Sequence, residues 1–343
     1  MATVLCVILN WRSAEMTFRA VQAAHEAMQG IPGAINVVDN DSGDGSFEQL
    51  SQAVAARDWG AVPVRVMQAG RNGGFGAGNN FGIRAGMPQG HPPADYVYIQ
   101  NSDAFPEPDA IRALLDHLET HPATGFAGSF IFGEDGTSHR TAFRFPSVAG
   151  EFEAALRFGP VSRWLSDHIV AMDIPVATTR VDWLAGASVM MRASVLERIG
   201  LFDETFFLYF EETDLCLRAA RAGWPTDYVP ASRVMHIGSA STGMKEWSRI
   251  PRFWLDSRRH FFVKNHGRAG FAAATAAHVA GGLLWRLRLV FQRKDRGDPP
   301  HFLRDLIRHS LSPAGGSGRS DPSTVMPVLA PESATRPDRA RRN

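Results

Sequence analysis

Cysteine is nearly absent: Cys6 and Cys216 are the only two in 343 residues, and both lie in apolar contexts. That excludes a disulfide framework and a cysteine-built zinc site, and leaves two buried free thiols as the plain reading. Long apolar runs are missing too. The first, Val4 to Leu9, is too short for the apolar core of a signal peptide and no basic stretch precedes it, so a cytoplasmic protein is expected. Net charge is small, at +1, but it hides an asymmetry. Residues 1–248 hold 18 Lys/Arg against 28 Asp/Glu, residues 249–311 hold 13 against 4, and residues 312–343 hold 5 against 3. An acidic body is thus joined to a basic C-terminal module, whose Trp, Phe and Leu content suits an anionic membrane surface. Nucleic acid is the competing partner for a basic patch. No internal repeat is present, and 44% apolar with 21% charged residues suffices for one large α/β domain or two smaller ones.

What is present begins with β-rich apolar runs. Val4 to Leu9 and Ile35 to Val38 flank a helix-like amphipathic stretch, Ala14 to Met28, which makes a βαβ unit. Val62 to Met67 and Tyr96 to Gln100 follow with room for helices between them, so a doubly wound sheet is expected. Each run ends in a polar or glycine-rich segment: Asn10-Trp11, Asp39 to Gly45, Arg71 to Asn80, and Asn101-Ser102-Asp103. Those ends share one rim, where such sheets bind nucleotides. Residues 126–180 lack a sustained period and read as loops plus short helices shaping an acceptor region. Val181 to Met191 regains strand character, Ser194 to Ile199 reads as a helix, and Glu211 to Ala222 as a helix stopped by Gly223 with Pro225 beyond. Residues 252–266 and 270–293 read as helices, and 312–343, rich in Ser, Pro, Gly and Arg, as a disordered tail.

Four features carry chemistry, and each has a bland counterpart. Gly73 to Gly78 fails the G-x-G-x-x-G dinucleotide pattern in either frame; it is a tight strand-to-helix turn or a backbone approach to phosphate or sugar. Asn101-Ser102-Asp103 is an ordinary turn, or it places a carboxylate where a hard cation bridges two phosphates. His236, after Val234 and Met235, is a structural histidine or an imidazole ligand from a second direction. Glu211-Glu212-Thr213-Asp214 opens a helix whose dipole favours acids, or it supplies a base for an acceptor hydroxyl beside the aromatic run Phe206 to Phe210.

Taken in order, Val37 to Ser46, Asn72 to Asn80, Asn101-Ser102-Asp103, Phe202-Asp203-Glu204 through Arg218, and His236 resemble family 2 glycosyltransferases of the rhamnosyltransferase-like type over about residues 3–266. The resemblance implies a GT-A fold: a Rossmann-like nucleotide-binding domain with a mixed, mainly parallel sheet. It also implies a nucleoside-diphosphate sugar donor, a divalent metal (Mg2+ or Mn2+) and inversion at the anomeric carbon. By the same resemblance Asn10, Asp39, Arg71, Gly74, Asn79, Asn101 and Asp103 stand on the donor side, with Asp39 against the uracil or thymine ring. Asp103 and His236 are the expected metal residues, Glu212 the base with Glu211 beside it, and Trp183 and Asp214 the acceptor side. Two departures stand out. Asn101 replaces the usual first Asp of the D-x-D pattern, removing one charge, and Glu212 stands where Asp is common, lengthening the base by one methylene.

The expected organisation is a catalytic domain over 1–266, a basic amphipathic helical extension over 267–311, and a tail over 312–343. The expected partners are a nucleoside-diphosphate sugar, a glycan or lipid-linked acceptor and an anionic membrane surface, with no nucleic acid. Rhamnose from a dTDP- or UDP-linked donor is the favoured sugar. The rival is a non-catalytic sugar-nucleotide or membrane-binding protein that retains the fold; a nucleotidyltransferase is a third, weaker option, because this chain shows no basic phosphate-binding signature of that class near the N-terminus. Residues 270–293 carry arginines and His278 inside the apolar run, which disfavours a membrane span and favours a helix lying in the interface.

Overall fold

The computed structural model describes residues 1–238, 249–292 and 299–312. Its first half is β1 (Val4–Asn10), α1 (Ala14–Ala27), β2 (Gly33–Asp39), α2 (Ser46–Ala55), β3 (Val64–Gln68), α3 (Gly74–Arg84), β4 (Tyr96–Asn101), β5 (Ala104–Pro106), α4 (Ala110–Thr120) and β6 (Phe126–Phe132). The second half is β7 (Ala142–Phe143), α5 (Val148–Leu156), α6 (Gly159–Trp164), β8 (Thr179–Val181), β9 (Trp183–Leu184), β10 (Ser188–Arg192), α7 (Ala193–Ile199), α8 (Glu211–Arg221), β11 (Thr226–His236), α9 (Arg252–Gln292) and α10 (Phe302–Leu311).

The main sheet runs β3-β2-β1-β4-β10-β6-β11-β5, with β8 also on β11. Strands β1 to β4 are mutually parallel, β10 is antiparallel to both its neighbours, and β11 is parallel to β6, so the sheet is mixed and mainly parallel as expected. The chain order reverses between β1 and β4, which opens a crevice at the C-terminal ends of those strands. Both faces are covered. Val4, Cys6 and Ile8 of β1 enter a core with α1, α2 and α4, while Leu5 and Val7 point to the opposite core with α3, α7 and α8. That alternation explains why the strands read as unbroken apolar runs.

One expectation is refined and another corrected. Val181 to Met191 has strand character, divided among β8, β9 and β10: Asp182 turns its carboxylate to the Phe145 amide at 2.7 Å, and Trp183-Leu184 leaves the main sheet to pair with β7. The region 126–180 is not only loops and helices, because β6 is a central strand between β10 and β11. Its FAGSFIF sequence hides it. A Cβ on Gly128 would stand 2.5 Å from Leu184 Cδ1, and Ser129 sits in a buried hydroxyl chain with Ser188 and Ser232. Helix α9 spans the two expected C-terminal helices and is broken at Gly267, where φ is +73°. The expected tail lies, beyond Ser312, outside the described residues.

Candidate active site

At the ends of β1 and β2, Asn10 donates to Asp39 Oδ1 at 2.7 Å, and Thr17 Oγ1 donates to Asn10 Oδ1 at 2.6 Å. Ser42 completes the cradle: its amide reaches Asp39 Oδ2 at 3.1 Å, its hydroxyl reaches Oδ1, and it accepts the Arg12 amide at 2.9 Å. Asp39 and Asn10 are fully buried. Arg12 and Asp41 adopt left-handed backbone, at φ 53° and 59°, which turns both loops sharply over this corner. Ser42 was not singled out in the sequence, although its place three residues after Asp39 is the spacing at which a capping carboxylate accepts from a backbone amide. Arg71 is exposed on the rim and loosely paired to Glu204 at 3.4 Å.

The end of β4 and the end of β11 meet next to it. His236 Nε2 lies 3.0 Å from Asp103 Oδ1 and 3.3 Å from Asn101 Nδ2, so three side chains from two strands converge on one point. The Ile237 amide on the Asp103 carbonyl, at 3.1 Å, locks the strands in this register. Among the described residues no group of three or more His, Cys, Asp and Glu surrounds a common point.

The third component is the turn into α8. Tyr209 and Phe210 hold consecutive left-handed conformations, at φ 69° and 71°, immediately before Glu211. Strain of this kind costs about 1–3 kcal/mol per residue and persists only under surrounding packing. The packing is identifiable. Ser257 of α9 donates to the Leu208 carbonyl at 3.0 Å, the Phe253 ring packs against Phe207 and Tyr209, and Phe206 is enclosed with Phe261 and Phe262. On the other side, Gly74 lets the Phe207 carbonyl approach so closely that a Cβ would stand 1.8 Å from it.

Burial, reinforced by the neighbouring Glu212 charge, pushes Glu211 well above the ordinary glutamate range; burial pushes Glu212 upward as well. Backbone amides of the turn and of Gly186 pull the other way without reversing it. Glu211 Oε2 and Glu212 Oε2 have no hydrogen-bond partner among the described residues. Gly186 connects the two halves of the site: a Cβ there would lie 3.9 Å from Glu212 Oε1, and the next residue, Ala187, accepts the Asn101 amide at 3.1 Å. Gly186 was missed in the sequence, which offers only its small size as a signal.

Three expected site residues are corrected by their surroundings. Asn79 is fully buried and turns its amide to the Phe75 carbonyl of its own helix at 3.0 Å, so it does not present itself to a donor. Gly74 is covered by Phe207, and its amide is used by Asn72 Oδ1 at 3.0 Å. The glycine cluster serves packing, because Cβ atoms at Gly78 and Gly82 would strike Leu9 and Val7 of β1 at 2.3 and 2.5 Å. Asp214, expected on the acceptor side, is fully buried and its carboxylate is held by Arg218 at 2.9 Å, Lys264 at 2.8 Å and Asn265 at 3.1 Å. Trp183 is half-buried two residues before Ala185, stacked on Phe143 at 4.2 Å with its indole N–H on the Arg144 carbonyl.

Residues 2–269 match the family described as Glycosyltransferase like family 2. The chain is 34% identical over 227 residues, 64% of its length and 71% of the relative's, to the N-acetylglucosaminyl-diphospho-decaprenol L-rhamnosyltransferase of Mycobacterium tuberculosis H37Rv. It is 30% identical over 166 residues, 48% of its length and 60% of the relative's, to the rhamnosyltransferase WbbL of Escherichia coli K12. In fold it is similar to GalNAc-T7 with UDP, GalNAc and Mn2+, at TM-score 0.53 and 13% identity over 90% of this chain and 54% of that one. Staphylococcus aureus TarS 1–349 with UDP-GlcNAc gives TM-score 0.53 and 11% identity over 90% and 79% of the two chains. Both share the GT-A fold.

Proposed function

Because this chain belongs to the family 2-like glycosyltransferases, we propose that it transfers a sugar, rhamnose favoured, from a dTDP- or UDP-linked donor to a hydroxyl of a glycan or lipid-linked acceptor in cell-surface polysaccharide synthesis. The transfer inverts the anomeric carbon, and the protein works in the cytoplasm at the inner face of the membrane. The names of the M. tuberculosis and E. coli relatives support rhamnose, and that of the former supports a lipid-linked acceptor. The observation that carries the reading is the meeting of Asp103, Asn101 and His236 on one side with a half-buried, uplifted Glu212 on the other, joined through Gly186 and Ala187.

Asp39 takes the pyrimidine edge of the donor, held by Asn10 and Ser42, and Arg71 lies within reach of the nucleotide. Asp103 and His236, a carboxylate and an imidazole from two directions, would hold a Mg2+ or Mn2+ ion, which would supply positive charge to offset that developing on the leaving diphosphate. Glu212 accepts the proton of the acceptor hydroxyl. As that proton leaves, the acceptor oxygen bonds to the anomeric carbon on the face opposite the diphosphate, which departs with the electron pair of the broken bond. A base pushed up by burial sits closer to working pH than an exposed glutamate, where general-base help is worth about 100 to 10,000-fold. Trp183 offers an apolar ring on the acceptor side.

The test is a screen of full-length protein against nucleotide sugars, read by release of nucleoside diphosphate with and without Mg2+ or Mn2+. Release from a dTDP- or UDP-sugar is expected; Asp39→Ala raises the donor KM, and Asp103→Ala removes the metal-dependent rate. No release from either class of nucleotide sugar, with any cation, overturns the proposal.

A further inference from the structure

Between residues 271 and 291, nine positions of α9 are exposed, and all nine are Ala, Leu, Val or Phe. The large ones are Leu283, Leu284, Leu287, Val290 and Phe291, at 58%, 47%, 60%, 75% and 81% exposure. At the helical angle per residue these five fall within about a third of the circumference, and the four alanines, at 272, 273, 276 and 280, extend the same stripe. The stripe is about 29 Å long. A water-facing helix surface is ordinarily polar. Here it is wholly apolar, while the protein's own packing uses the opposite side: Gly281 lies under the Phe152 carbonyl of α5, Gly282 lies against Leu303 of α10, and Trp285 and Leu289 are buried.

Charge tells what covers the stripe. By the same angular arithmetic Arg286 and Arg288, both half-buried, border it on either side; the Arg288 guanidinium donates to the Leu156 carbonyl at 3.1 Å and stands 4.5 Å from the Phe158 ring. No Asp or Glu occurs between Asp256 and Asp295. A second copy of this helix would set arginines against arginines with no acid to answer them. The occupant must be apolar beneath and anionic above. Among the described residues no helix is long and apolar enough to cross a membrane, so the stripe lies along a surface instead.

We infer that the 271–291 face of α9 is a docking surface for an anionic lipid bilayer, in which the Leu, Val and Phe side chains enter the acyl boundary and the flanking arginines meet the headgroups. Five large apolar side chains with bordering arginines match an interfacial helix. The part of the helix before the break at Gly267 supports the turn that carries Glu212, through Ser257 and Phe253. The docking itself does not rest on the glycosyl-transfer reading.

The experiment is co-sedimentation of full-length protein with phosphatidylcholine vesicles containing or lacking phosphatidylglycerol, at low and high salt, beside the variant Leu287→Glu/Phe291→Glu. Sedimentation velocity without vesicles and nucleoside diphosphate release from soluble donor are run on the same samples. Expected are binding that needs phosphatidylglycerol and weakens with salt, a loss of about tenfold or more in the variant, and unchanged mass and donor hydrolysis. Equal vesicle binding by both proteins, or binding by neither, overturns the inference. So does a concentration-dependent dimer in the parent protein that the variant abolishes, since the face is then an interface between copies. Vesicle binding lost in the variant, with no donor hydrolysis by either protein, leaves the docking surface standing and removes the transferase reading.

Discussion

Replacing Gly74 by alanine tests how the α8 turn is held. Gly74 combines a φ of +86° with a Phe207 carbonyl oxygen 1.8 Å from where a Cβ would sit; the Phe207 carbonyl carbon and Cα are 2.6 and 2.8 Å from it. All three obstacles are backbone, so no rotamer change relieves them. Real Cβ atoms do not approach closer than about 3.0 Å, which requires a displacement of at least 1 Å. A left-handed conformation costs an alanine about 1–2 kcal/mol. Losing the Phe75 amide bond to Phe207, now 3.0 Å long, adds about 1 kcal/mol. The expected destabilisation is therefore about 2–3 kcal/mol, read by urea unfolding. Because Phe207 stands four residues before Glu211, the same shift moves the proposed base by a distance that typically costs on the order of 100-fold in rate. Gly60→Ala is the control: its φ is +54° but nothing lies within 4 Å of its Cβ. It is expected to lose about 1 kcal/mol and no activity. Equal stability and turnover in the two variants refutes the reasoning.

The buried Asp214 is expected to matter for stability: Asp214→Ala leaves Lys264 and Arg218 facing each other without their shared carboxylate and costs about 3 kcal/mol in urea unfolding; a loss below 1 kcal/mol contradicts the assignment. The pH dependence of folding has a defined sign. Glu211 is raised in the folded state, so its favourable contribution is complete below the ordinary glutamate pKa and is lost as pH rises through the folded value. Glu211→Gln lacks this loss, and its stability relative to the parent therefore grows from pH 4 to pH 8; a gap that narrows over that range is inconsistent with a raised pKa.

The sheet was legible where its strands are buried on both faces, because β1, β2 and β4 show as mainly apolar runs, with Asn36 inside β2, and each ends in a polar loop. It was illegible where close packing dictates small residues. In β6, Gly128 and Ser129 are required by Leu184 and by the hydroxyl chain, and they erase the strand pattern. Of the expected site, Asn10, Asp39 and Asn101 end β1, β2 and β4, Asp103 follows β4, His236 ends β11 and Glu212 lies in the first turn of α8; the roles given to them are proposals. Asn79, Gly74 and Asp214 misled for one reason: a buried polar or glycine position that a packing contact demands has the same letters as one that a ligand demands. Only tertiary neighbours, such as Leu9 against Gly78 and Lys264 on Asp214, separate the two.

The central claim is that Glu212, not Glu211, takes the acceptor proton. The direct measurement is acceptor transfer and donor affinity in Glu212→Gln and Glu211→Gln, using the nucleotide sugar that supports release by the parent protein. The account predicts that Glu212→Gln binds donor with unchanged Kd and loses transfer by at least about 100-fold, while Glu211→Gln keeps transfer within about tenfold of the parent, because Glu211 is fully buried whereas Glu212 faces Gly186, beside the Asn101 to Asp103 segment. Near-normal transfer by Glu212→Gln, or a silent Glu211→Gln beside it, contradicts the account.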